Sequence, residues 1–198
     1  MIIQFCGLSG SGKSTLARAA EAALKKSGIE VEVIDGDEYR ATLCKGLGFS
    51  KQDRCENIRR MAFVAGQLSK HGVVTIICAI NPYEEIRREV KKTYSDVATV
   101  FIDCSIETLK IRDTKGLYQK AFLPDHHPNR VTNLTGINDP FEKPSHPDLY
   151  VNTDKETIIH CVDKMVSFIT QRIKSKTPLL SYRYFNNPNP LYNNYINL

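Results

Sequence analysis

Short apolar runs alternate with amphipathic stretches along most of the chain. Met1-Ile2-Ile3-Gln4-Phe5-Cys6 is a β-type run, and Leu16 to Leu24 is a strong helix former that Gly28 stops. Ile29 to Ile34 predicts a second strand, and Glu38 to Cys44 a short helical piece. Ser50 can cap a helix with Asp53 three residues on. Ile58, Met61, Ala62, Ala65 and Leu68 carry its apolar stripe to about His71. Val73 to Ile80 is continuously apolar, as expected of a central parallel strand covered on both faces. Asn81-Pro82 opens a charged helix through Lys92, Val97 to Cys104 predicts another buried strand, and Ser105 to Arg112 another helix. Leu149 to Asn152 is a last short strand. Thr153-Asp154-Lys155-Glu156 has the form of a capping box for a long helix with its stripe at Ile158, Val162, Met165, Val166, Ile169 and Ile173.

Five strands alternating with helices predict an α/β fold with a five-stranded parallel sheet between helical layers, binding ligands at the strands' carboxyl ends. Two stretches interrupt the alternation. Asp113 to His146 holds four prolines, the adjacent His126 and His127, and no apolar period. It is too long for a passive connection, so a mobile lid is expected there, with both histidines exposed. Residues 175–198 are rich in Asn, Tyr and Pro and read as an appendage to a domain spanning 1–174.

The first strand runs directly into chemistry. Gly7-Leu8-Ser9-Gly10-Ser11-Gly12-Lys13-Ser14, followed by Thr15, matches the phosphate-loop pattern of Gly, four residues, Gly-Lys-Ser/Thr. Such a loop converges its backbone N–H groups, with the start of the next helix, on a di- or triphosphate. Lys13 would reach the β- and γ-phosphates, and the Ser14 hydroxyl would sit on Mg²⁺. The alternative is a chance glycine-rich turn between a strand and a helix, and the full match to the pattern together with the flanks it requires outweighs it. Asp35 and Asp37 lie at the end of the second strand, where they would face this loop. One carboxylate there can organise Mg²⁺, and another can accept a proton from an attacking hydroxyl.

Composition narrows the setting. The chain has 198 residues, 41% hydrophobic and 25% charged, with a net charge of +5. These are the values of an ordinary soluble domain with a sizeable core. The charge is mild and forms no long basic block, which argues against nucleic acid as a partner. No apolar run approaches ~18 residues, so no membrane partner is expected. A leader peptide is not expected either, since the first strand begins at Met1. Six scattered cysteines (Cys6, Cys44, Cys55, Cys78, Cys104 and Cys161) have neither C-x-x-C pairing nor zinc spacing and suit reduced thiols in the cytoplasm.

A phosphate loop alone leaves the reaction open. Gly46-Leu47-Gly48-Phe49-Ser50, Asp53-Arg54 and Glu56-Asn57-Ile58-Arg59-Arg60 follow the Asp-Gly-Asp turn in close order. Lys115-Gly116-Leu117-Tyr118 and Thr135-Gly136-Ile137-Asn138-Asp139-Pro140-Phe141-Glu142 lie downstream. At these residues the chain resembles the adenylyl-sulfate (APS) kinases, from about Ile3 to Thr153. The resemblance implies a P-loop NTPase-like kinase that transfers the ATP γ-phosphate to the ribose 3′-hydroxyl of APS with Mg²⁺. Asp37 would be its base and a metal-organising carboxylate beside Ser14. Asp35, Arg40, Phe49, Arg54, Asn57, Ile80, Lys115 and Leu134 would bind the acceptor. Within that set, Arg40, Arg54 and Asn57 would grip its 5′ side and ribose, and Phe49 would be one aromatic wall for the base. Lys115 would help neutralise the transferring phosphoryl group. Arg59 and Arg60 fit a solvated helix face equally well. A homodimer is an open assembly.

Departures from the family pattern leave the acceptor open. Leu134 stands where the family's second aromatic wall would be, a loss of base stacking worth roughly 1–3 kcal/mol. Asn81-Pro82-Tyr83-Glu84 replaces a Ser-Pro-Tyr-Arg, and Asp113-Thr114-Lys115 replaces an Asp-Pro-Lys. Some relatives serving capsule biosynthesis phosphorylate cytidine diphosphoramidate, and a pocket with Leu134 is compatible with a smaller pyrimidine. A non-catalytic nucleotide switch is the reading from another class. Intact Lys13, Ser14 and Asp37 count against it.

Overall fold

The computed structural model describes residues 1–176. The strands are β1 (Ile2–Cys6), β2 (Val31–Asp35), β3 (Val74–Cys78), β4 (Val97–Asp103) and β5 (Leu149–Asn152). They form one wholly parallel sheet in the order β2-β3-β1-β4-β5, with Ile2 of β1 in register with Thr75 on one side and Val97 on the other. The helices are α1 (Lys13–Lys26), α2 (Gly36–Ala41), α3 (Lys51–Lys70), α4 (Glu84–Thr93), α5 (Ile106–Arg112), α6 (Leu117–Ala121) and α7 (Ile158–Lys176).

The period-two geometry of β1 divides its side chains between two cores. Ile3 and Phe5 pack with Leu16, Ala20 and Leu24 of α1 and Met165 and Ile169 of α7. Ile2 faces the other way, onto Ile58, Met61 and Ala65 of α3 and Ile86 and Val90 of α4. The sheet is therefore covered on both faces, and the free space lies at the carboxyl ends of its strands. Gln4 is fully buried inside β1. Its amide donates to the Arg87 carbonyl (3.1 Å) and Thr99 Oγ1 (3.0 Å), and its oxygen accepts from Asn81 Nδ2 (3.2 Å). All six cysteines are buried free thiols. Among the described residues no helix is long and apolar enough to cross a membrane.

Several sequence expectations need correction. The helix after β2 begins at Gly36, because the Asp35 carboxylate caps it by accepting the Asp37 N–H at 2.9 Å. The Thr153–Glu156 segment does not cap α7. Asn152 Oδ1 instead accepts the Asp154 and Lys155 N–H groups, and the Glu156 carboxylate turns back to the Asn152 N–H at 2.8 Å. The helix starts at Ile158, where Thr157 Oγ1 accepts the His160 N–H at 3.3 Å. The 113–146 segment contains helix α6 and an apolar cluster of Tyr118, Ala121 and Leu134 packed on Leu8, Cys104 and Leu109. These apolar residues lack a period because each docks singly onto its neighbours. His126 is exposed, but His127 is half-buried and accepts the Asn129 N–H at Nδ1. By contrast, Ser50 caps α3 as expected, accepting the Asp53 N–H at 3.1 Å. The appendage reading of the chain's end lies almost wholly outside the described residues, α7 itself continuing to Lys176.

Candidate active site

The phosphate loop joins β1 to α1 as its spacing predicts. Gly7 is required by close approach: a Cβ there would stand 2.4 Å from the Ile102 carbonyl oxygen of β4. Three of the loop's carbonyls are held by side-chain donors. Lys13 Nζ donates to the Leu8 carbonyl at 2.6 Å, Tyr118 Oη to that of Ser9 at 2.8 Å, and Thr153 Oγ1 to that of Ser11 at 3.1 Å. Burial pushes the Lys13 ammonium down to about 8, because an ion removed from water is disfavoured.

Loop residues Ser9, Gly10 and Gly12 to Thr15 line a cavity of about 890 Å³. Gly7, Leu8 and Ser11 stay out of its wall. Leu8 turns its side chain into the apolar cluster under α6, and Ser11 is fully buried. Asp35, Asp37, Arg40, Phe49, Arg54, Asn57, Ile80, Lys115 and Leu134 all line the same cavity, although they come from four separate stretches of the chain. Ser14 Oγ donates to Asp35 Oδ2 at 3.0 Å and lies 3.5 Å from the Cys78 sulfur. Asp37 instead pairs with Lys115, which comes from the turn before α6.

One arm of the cavity is walled by α2 and α3. There the guanidinium carbons of Arg40 and Arg54 lie 4.6 and 5.5 Å from the Phe49 ring centroid. Arg40 Nη1 donates to the Gly48 carbonyl at 3.0 Å. Arg54 is nearly fully buried, with Nε on the Phe49 carbonyl (3.0 Å) and Nη2 on the Asn133 carbonyl (2.7 Å) and Asp139 Oδ2 (3.2 Å). It therefore ties α3 to the 113–146 segment, a use its place in the motif did not reveal. Asn57 is buried in this wall, and its Oδ1 has no hydrogen-bond partner among the described residues. Arg59 and Arg60 lie outside the cavity and pair with Glu89 and Glu56, as a solvated helix face does. The opposite arm runs past Arg112, Thr153, Glu156, Ile158 and Cys161.

A sequence model of the adenylylsulphate kinase family matches residues 1–152. The chain belongs to that family. It is 44% identical over 167 residues to the adenylyl-sulfate kinase of Chloroflexus aurantiacus, covering 84% of this chain and 87% of the relative. It is 46% identical over 157 residues to the adenylyl-sulfate kinase of Deinococcus deserti, covering 79% and 84%. Among solved structures it resembles an APS kinase of Mycobacterium tuberculosis in complex with AMPPNP and APS. That match has a TM-score of 0.79 and 36% identity, covering 85% of this chain and 96% of the other.

The three stretches in which this APS kinase family member departs from the family motifs, 81–84, 113–115 and Leu134, acquire a structural reading. Asn81 takes a left-handed φ of 49°, a conformation that asparagine tolerates, and turns the chain at the end of β3. Glu84 lies outside the cavity. Its carboxylate accepts from Arg87 Nε and Nη2 at 3.0 and 2.7 Å and from Arg88 Nε at 3.1 Å. Asp113 caps α6, accepting the Tyr118 and Gln119 N–H groups at 3.0 and 2.9 Å. Leu134 is a cavity wall and also part of the apolar cluster under α6.

Sequence reasoning missed the second arm and the buried Arg87. Arg112 donates to the Thr153 carbonyl at 2.7 Å, a contact 41 positions apart that no local motif announces. Arg87 is 1% exposed. It donates to the Asn81 carbonyl at 2.7 Å and the Glu142 carbonyl at 2.6 Å, which bolts the end of the 113–146 segment to the turn after β3. Nothing in a charged helix such as α4 marks which arginine points inward.

Proposed function

We propose that this protein transfers the γ-phosphoryl group of ATP to the ribose 3′-hydroxyl of adenosine 5′-phosphosulfate, giving PAPS and ADP. The observation that carries this is a single cavity with the phosphate loop between two arms, one for each nucleotide. The ATP base belongs in the arm of Arg112, Thr153 and Ile158, and the acceptor in the arm of Arg40, Phe49, Arg54 and Asn57. Close relatives named adenylyl-sulfate kinase support the choice of acceptor.

In this reading the Asp37 carboxylate takes the proton from the acceptor's 3′-hydroxyl. A bond forms between that oxygen and the γ-phosphorus, and the bond to the β–γ bridging oxygen breaks as ADP leaves. Lys13 and Lys115 stabilise charge on the phosphoryl group in flight. The buried, unpaired Asn57 Oδ1 is an acceptor that a ribose hydroxyl can satisfy. Mg²⁺ fits beside Ser14 and Asp35, whose hard oxygen donors lie 3.0 Å apart at the end of the phosphate loop. When bound, the ion neutralises phosphate charge and orients the transferring group.

The test measures ADP formation with APS, cytidine diphosphoramidate and related nucleotides, reading the products by phosphorus NMR. Turnover that requires APS and yields a 3′-phosphate supports the proposal. Saturating APS with no ADP above background would remove this acceptor, and turnover with the cytidine compound would then replace it.

A further inference from the structure

We propose that Tyr118 is a positioning residue for ATP: its hydroxyl holds the Ser9–Gly10 peptide in the orientation that presents a backbone N–H to the phosphates. Tyr118 stands on α6, outside the phosphate loop and 109 positions from the carbonyl it holds. Its Oη donates to the Ser9 carbonyl at 2.8 Å, and the residue is 2% exposed. Burial raises the phenol's pKa, so the group stays protonated and remains a donor.

The physical link is the planarity of the peptide unit. In a trans peptide the C=O and the following N–H point in opposite directions, so fixing the Ser9 carbonyl outward fixes the Gly10 N–H toward the concave side. Gly10 has a φ of +76°, and glycine tolerates either sign of φ, so the loop's own sequence does not lock this peptide against flipping. A flipped peptide would present a carbonyl oxygen to the phosphate oxygens and withdraw one donor from the cradle. The Leu8 and Ser11 carbonyls are held by Lys13 and Thr153, so Tyr118 supplies the corresponding restraint at Ser9. It is also the restraint that comes from the 113–146 segment. The ring is seated among Leu8, Leu109, Ala121 and Leu134, and Lys115, three residues earlier, pairs with Asp37. One turn of chain therefore touches both the proposed base and the phosphate loop, and docking of α6 completes the ATP site.

The inference rests on the loop being the ATP site, so the experiment begins with Mg-ADP binding to the wild-type protein by calorimetry. Tyr118→Phe removes only the hydroxyl and leaves the ring in its cluster. It is expected to weaken ADP binding about tenfold and raise the ATP KM by the same factor, with kcat and the acceptor KM within twofold of wild type. Ala121→Gly loosens the same helix without touching the hydrogen bond, and it should lower Tm while leaving ADP affinity unchanged. Unaltered ADP affinity in Tyr118→Phe would overturn the proposal. So would a parallel loss of ATP and acceptor affinity with a fall in Tm that Ala121→Gly reproduces, since the hydroxyl would then serve packing alone. Absence of ADP binding in the wild type would instead remove the reading of the loop on which the inference rests.

Discussion

Lys115 and Asp37, 78 positions apart in sequence, form an ion pair in the cavity that the phosphate loop lines. Both side chains remain substantially exposed, 52% and 74% respectively, so the pair is held weakly against solvent. A contact of that kind parts readily when an acceptor hydroxyl and a phosphoryl group arrive, and each partner is then free for its own task.

Asp37→Asn keeps the shape of the side chain but cannot accept the proton. It is expected to lower kcat by about two orders of magnitude or more and to leave the ATP KM within a few-fold of wild type. Steady-state kinetics with APS check this. A near wild-type rate would show that Asp37 is not the base.

The depressed Lys13 ammonium has a pH signature. In the empty site it loses its proton as pH rises through about 8, whereas bound phosphates favour the charged form. Nucleotide binding above that pH therefore takes up a proton, and affinity falls by about tenfold per pH unit until the lysine titrates in the complex as well. Calorimetry at pH 8.5 in buffers of different ionisation enthalpy reads the uptake directly. Lys13→Ala should abolish the uptake and cut kcat by orders of magnitude.

Leu134→Phe is expected to extend a ring from the apolar cluster into the acceptor arm, adding a stacking wall for the base. At roughly 1 kcal/mol for such a wall, kcat/KM for APS should rise about fivefold. The comparison of initial rates should include a cytidine nucleotide. A gain confined to the cytidine compound would contradict an adenine-binding arm.

Arg87→Met removes a buried charge together with the donors it supplies to the Asn81 and Glu142 carbonyls and to the Glu84 carboxylate, which keeps only Arg88. Breaking a buried charge network of this kind costs about 3 kcal/mol or more, which for a chain of this size lowers Tm by about 6–12 °C. Differential scanning calorimetry is the check. Mg-ADP binding should survive at temperatures where the variant is folded, because Arg87 does not line the cavity.

The sequence by itself determined what short-range chemistry can specify. The alternation of apolar runs and amphipathic stretches set the strands and most helices, because a period of two or 3.6 residues is a local property. The phosphate loop was legible for the same reason, its donors and Lys13 lying within eight consecutive residues. The family resemblance that the downstream motifs carry implied Asp35, Asp37, Arg40, Phe49, Arg54, Asn57, Ile80, Lys115 and Leu134, and the fold brings all of them to one cavity. Only the tertiary structure decided how those residues are used. Arg54 spends two donors anchoring Asn133 and Phe49, Asp35 rather than Asp37 meets Ser14, and Arg87 turns inward from a helix that reads as solvated. The segment read as a mobile lid meets the rest of the structure through Tyr118, Asn133 and Glu142. Each of these outcomes joins residues dozens of positions apart, and a hydrogen-bonding group takes whichever partner packing brings within about 3 Å. That choice is made by the assembled sheet and its helices, and no window along the chain contains it.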